Sequence, residues 1–99
     1  MLTSKQRAYL RGVANDVKAT VQIGKLGVTP DVSQAVNEAL EANELVKISI
    51  LDNNMLDAKE TAQLLSERTR SDVVVVVGRK FVLYKKSKTK PVIELPKSK

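Results

Sequence analysis

The sequence predicts a two-layer α/β (α+β) domain, element order α-β-α-β-α-β-β, with a four-stranded mixed sheet. Three observations carry this expectation. Apolar stripes of helical period alternate with short runs rich in β-branched residues. Two successive strand–helix–strand crossovers of the same right hand place their helices on one face of the sheet. The last two runs are separated only by Gly78-Arg79-Lys80, which is hairpin spacing and predicts an antiparallel pair. At 99 residues the chain has the length of one domain, enough for a modest core without metals or disulfides.

Each element has a local reason. Thr3 or Ser4 can cap a first helix, and Leu10, Val13, Ala14 and Val17 then fall at i, i+3, i+4 and i+7. Lys5, Arg7 and Arg11 lie off that stripe, toward solvent. Gly12 costs this helix up to ~1 kcal/mol relative to alanine, and close packing is the one reason the sequence offers for it. The crossovers leave this helix to pack separately at one end. Residues 19–23 read as a strand with Val21 and Ile23 on one face. Thr29-Pro30-Asp31 starts a second helix: an N-cap, a proline at the first helical position, and an acid at the positive helix end. Val32, Ala35, Val36, Ala39 and Leu40 form its stripe. Residues 45–51 make a strand with Val46, Ile48 and Ile50 on one face and Lys47 and Ser49, outward, on the other. Residues 52–54 read as loop. A third helix spans about 57–68, with Ala58, Ala62 and Leu65 inward. Five consecutive valines, 73–77, are apolar on both faces and predict a central strand. Residues 81–84 close the sheet, with Phe81 and Leu83 facing the core. The domain is expected over 1–84, with 85–99 a basic, partly flexible tail.

Charge is unevenly spread. Residues 1–27 carry five bases against one acid, 28–67 two against eight, 68–83 four against one, and 84–99 six against one. The ends are basic and the middle is acidic. A fold that brings the ends together has a positive side, which attracts polyanions. Cysteine and histidine are absent, which removes thiolate metal ligands and the commonest general base. Ser4, Ser33, Ser49 and Ser66 have no histidine to activate them. The acids show no spacing of a paired-carboxylate hydrolase, and Lys47 reads as an outward strand lysine rather than a desolvated nucleophile. The expectation is a non-enzyme with no cofactor and no metal. No apolar run approaches the ~20 residues of a membrane helix, and the first residues lack the apolar middle of a secretory signal. No membrane partner, a cytoplasmic location and a monomeric state are expected.

The corner Gly24-Lys25-Leu26-Gly27, between a strand and a helix start, has two readings. In one, the two glycines only make the turn. In the other, the amides at the helix start form an anion site, the glycines admit a phosphate-bearing backbone, and Lys25 adds charge. It is neither a dinucleotide fingerprint, lacking a third glycine, nor a P-loop. Lys5, Arg7, Arg11, Arg79 and Lys80 are expected on the same side as Lys25. With Tyr9, Phe81 and Tyr84 the only aromatics, the expected grip is on backbone and shape rather than through base stacking.

Nearly the whole chain resembles the CRM domain, the chloroplast RNA-splicing and ribosome-maturation family with its bacterial YhbY-like members. The matching features are LTSKQRAYLRGVA, VQIGKLGVT, ELVKISI, VGRKFVLYK and the terminal IELP. The resemblance implies a fold similar to the C-terminal domain of translation initiation factor three. It implies RNA binding, with large-subunit ribosomal precursor RNA as the partner of bacterial members. It also implies that Gly24, Lys25, Leu26 and Gly27 touch RNA much as the analogous loop of KH domains does. Lys5, Arg7, Arg11, Lys18, Arg79 and Lys80 would extend the grip, with Lys85 at a position where the family also uses arginine. The alternatives are a protein-interaction adaptor working through the acidic second and third helices, and a generic DNA-binding protein.

Overall fold

The computed structural model describes residues 2–15, 20–24, 26–51 and 57–86. The expected loop 52–54, the tail from residue 87, and Val17, Lys18, Ala19 and Lys25 lie outside them. The element order is α1 (Ser4–Ala14), β1 (Thr20–Ile23), α2 (Pro30–Asn43), β2 (Leu45–Ile50), α3 (Ala58–Thr69), β3 (Asp72–Val77) and β4 (Lys80–Tyr84). The sheet is mixed and ordered β1-β2-β4-β3. β1 and β2 are parallel; β4 runs antiparallel to both β2 and β3.

The helices start where hydroxyl and carboxylate caps allow. Thr3 Oγ1 accepts from the Gln6 amide and Gln6 Oε1 accepts from the Thr3 amide, both at 3.1 Å, a reciprocal box that satisfies two donors. Thr29 Oγ1 accepts from the Val32 amide at 3.2 Å, with Pro30 first in α2. Asp57 caps α3 through the Glu60 amide.

Two cores lie on opposite faces of the sheet. On one face α2 and α3 bury Val36, Leu40, Ala62 and Leu65 against Ile23, Val46, Ile48, Phe81 and Leu83. This is the expected two-layer body. On the other face α1 packs Leu2, Leu10 and Ala14 onto Leu45, Val74, Val82 and Tyr84, at the end of the sheet where β2 begins and β4 ends. The register Leu45↔Tyr84 fixes that end.

Three expectations are corrected. The valine run is an edge strand, β3, because β4 folds back between it and β2. Its apolar character on both faces has another cause: helices cover both faces, α3 on one and α1 on the other. A β-bulge between Val73 and Val75 turns Val74 and Val75 both toward α1. Ala35 is exposed, so the α2 stripe is Val36 and Leu40 flanked by half-buried Val32 and Ala39. Gly12 is exposed, and a Cβ there would meet nothing within 4 Å, so close packing does not explain it.

Tyr84 sits in the α1 core, and its phenol is held above the ordinary value of 10.0, first by burial and then by the carboxylates of Glu44 and Asp72. A folded-state pKa above the unfolded one gives stability that is fully present below pH 10.0 and lost as pH rises through the raised value. Denaturant titrations at increasing alkaline pH should show wild type weakening in that window and Tyr84→Phe weakening less. Equal slopes for the two proteins would remove Tyr84 from the alkaline limb.

Candidate nucleic-acid interface

The corner after β1 closes as a tight turn: the Gly27 amide donates to the Gly24 carbonyl at 3.0 Å. Gly27 has φ 74, a left-handed conformation that favours glycine. Gly24 is not so constrained. Its φ is not positive, and a Cβ there would meet only Leu51 Cδ1, at an ordinary 3.9 Å. The turn therefore accounts for the second glycine and not for the first. Leu26, at the tip, is 86% exposed.

These bonds revise the anion-site geometry. The Gly27 amide is spent on the turn, Pro30 has no N–H, and the Val32 amide is taken by Thr29. The start of α2 is thus largely self-satisfied, and Asp31 adds a negative charge there. Any grip on phosphate at this end must come mainly from side-chain cations.

The basic residues divide into two groups. Arg79 belongs to the corner. Its guanidinium donates to the carbonyls of Ile50 at 3.4 Å and Leu51 at 3.0 Å, while the Leu51 amide donates to Ile23 at 3.0 Å. The end of β1, the end of β2 and the β3–β4 turn are thereby tied together beside Gly24. Lys80 follows on β4, opposite Ser49 and Val77. Arg11, from the last turn of α1, lines an open cleft with Lys47 and Lys80 on the α1 face of the sheet. Lys47 is half-buried there, a cation that the sequence reading left as an ordinary outward lysine. Its alternation with Val46 and Ile48 placed it on the second face, but nothing in the chain pattern showed that α1 would wall that face.

Arg7 and Lys85 are elsewhere. Arg7 Nε donates to the Val73 carbonyl at 3.2 Å, where β3 begins, at the opposite end of the sheet from the corner. The expectation that Arg7 joins the corner is therefore not met: the side chain fastens α1 to the sheet edge. Lys85 follows β4 at the same far end, with its ammonium 3.4 Å from Asn37 Oδ1 of α2. Lys5 is exposed in the first turn of α1. Exposed acids are carried by α2 (Asp31, Glu38) and α3 (Glu60, Glu67), the helices packed on the other face of the sheet; of these Asp31 follows the corner directly, and Glu60 lines a pocket with Asp57, Leu26 and Gly27.

A mixed sheet with a glycine-hinged corner and a cation-lined cleft on its helix-poor face has the charge and form of a polyanion-binding module. The chain belongs to the CRS1/YhbY (CRM) domain family, whose model matches residues 2–85. It is 43% identical over 96 residues to a Bacillus subtilis protein named "Probable RNA-binding protein YqeI", covering 97% of this chain and all of that one. It is 30% identical over 100 residues to a Haemophilus influenzae protein named "RNA-binding protein", covering 97% and 96% of the two chains. The solution structure of a hypothetical protein from Staphylococcus aureus superposes with a TM-score of 0.80 at 45% identity, covering 97% of this chain and 100% of that one.

The two glycines should respond differently to a methyl group. Gly27→Ala forces a side chain into the left-handed region and should cost about 1–2 kcal/mol of stability. Gly24→Ala should leave the denaturation midpoint within about 0.5 kcal/mol of wild type. Equal losses in urea titrations would contradict the distinction.

Proposed function

We propose that this chain binds RNA and acts as a ribosome-assembly factor on large-subunit precursor RNA in the cytoplasm. One observation supports this reading above the others. Arg79 ties the ends of β1 and β2 beside the corner to the β3–β4 turn, and the next residue, Lys80, lines the cleft with Arg11 and Lys47, whose described lining holds no acid. RNA approaching this side meets cations and, at Gly24, a backbone position that carries no side chain. The same approach from the helical side meets carboxylates. The names of the relatives point to the same ligand class. Lys25, Lys5 and Lys18 add charge to the contact, and the lysines of the tail add affinity that is independent of sequence.

Binding of this kind releases counterions. With about five phosphates neutralised, log K should fall with log salt at a slope near −3.5 for single strands. A flat response would overturn the reading. Lys25→Glu should weaken RNA binding severalfold, and Gly24→Ala should weaken it while sparing stability. RNA affinities equal to wild type for both variants would remove the corner from the contact. In cells, ribonuclease treatment before capture should strip ribosomal partners from the chain. Partners that survive the treatment would favour a protein-interaction adaptor acting through the acidic helices.

A further inference from the structure

The cleft on the α1 face has features that a merely cationic surface does not need. Its volume is about 470 Å³, within the ~300–1,000 Å³ range of small-molecule sites. Its floor is aliphatic, made by Val75 and Val82, and its wall is the end of α1. Arg11, Lys47 and Lys80 stand around it, and no acid is among its described lining residues. No described residue forms an ion pair or a side-chain hydrogen bond with any of these three cations. Lys47 is the telling case. It is half-buried on an inner strand, between Thr20 and Val82 across the sheet. Its stem lies along the aliphatic surface of the cleft, which leaves the ammonium available to an anion there. Val77, on the rim, is a 67% exposed apolar side chain beside Lys80.

From this juxtaposition we infer that the cleft seats one unstacked ribonucleotide of the bound RNA. The base lies on the valine floor, and its phosphate faces Lys47, Lys80 and Arg11. The inference rests on the RNA-binding reading and adds to it a defined seat away from the corner. Ser49, on the cleft floor, is paired with Gln22, one residue short of Ile23 and the corner, so a strand leaving the cleft reaches Gly24 without crossing the sheet. The hydroxyls of Thr20 and Ser49, together with Asn15, are the uncharged polar groups at hand for a ribose 2′-hydroxyl, the group that distinguishes RNA from DNA. The floor offers apolar contact with few donors or acceptors, so the seat accepts any base. A duplex, whose bases are stacked and paired, cannot enter it.

The test uses the full chain and short single-stranded RNA. Lys47→Gln should lower affinity about tenfold and make the salt slope shallower by about 0.7, one phosphate contact. Val77→Glu, an exposed change on the rim, should lower affinity similarly while leaving the melting temperature near wild type. Replacing one nucleotide at a time by an abasic unit should reveal a position where wild type loses affinity and Lys47→Gln loses little more. If wild type binds RNA with the expected salt slope while both variants bind as tightly and abasic RNA binds equally, the cleft is empty and only the general RNA reading survives. If the lysine matters and the base does not, the cleft holds phosphate alone and the nucleotide seat is wrong. If wild type binds no RNA, both readings fall.

Discussion

One helix cannot cover a four-stranded sheet, and much of this molecule follows from that limit. An α-helix with its side chains is about 10 Å across, whereas strands of six residues, such as β2 and β3, run about 20 Å. On the first face two helices, α2 and α3, share the work and the core is continuous. On the second face α1 works alone. It takes the end where Leu45, Tyr84 and Val74 converge, and the other end stays open to solvent. The strands keep their alternation, so what α1 leaves uncovered must be acceptable to water. Ser49, Lys47 and Lys80 meet that demand, with valines between them.

The same limit gathers cations on the half-covered face. The helices of the covered face turn their outer surfaces to solvent and carry most of the described acids, alongside Lys59 and Arg68 of α3. The half-covered face presents cations from α1, β2 and β4 together, although these are distant in sequence. A fold that packed α1 beside α2 and α3 would have left the sheet's second face bare.

Much of this was legible in the chain. The Thr29-Pro30-Asp31 start of α2, the Val46/Ile48/Ile50 face of β2 and the Gly78–Lys80 hairpin each rest on short-range rules, and those rules decided the local structure. The errors came where a residue's environment depends on elements far away in sequence. The valines of β3 read as central because apolar residues pointed both ways, but a helix over each face produces the same pattern in an edge strand. Arg7 and Arg11 lie one turn apart on α1, and both are expected on the side of Lys25. In the fold one fastens a strand edge and the other walls the cleft, because α1 crosses from β3 toward β1. Lys47 looked ordinary for the same reason: its neighbours in space come from α1, β1 and β4. The corner was legible as a turn, yet only the dihedral angles separate the glycine the turn requires from the one it does not.

The bond between Arg7 and the Val73 carbonyl has a consequence for solubility. A β-branched, uncharged run on a sheet margin is the kind of segment that recruits a second chain by strand addition and seeds cross-β aggregates. In β3 the bulge twists that margin out of the flat geometry a newcomer would need. The guanidinium occupies one of the carbonyls such a newcomer would bind, and places a positive charge at the point of approach. Arg7 thus stands as a gatekeeper, protecting the protein from its own most adhesive sequence.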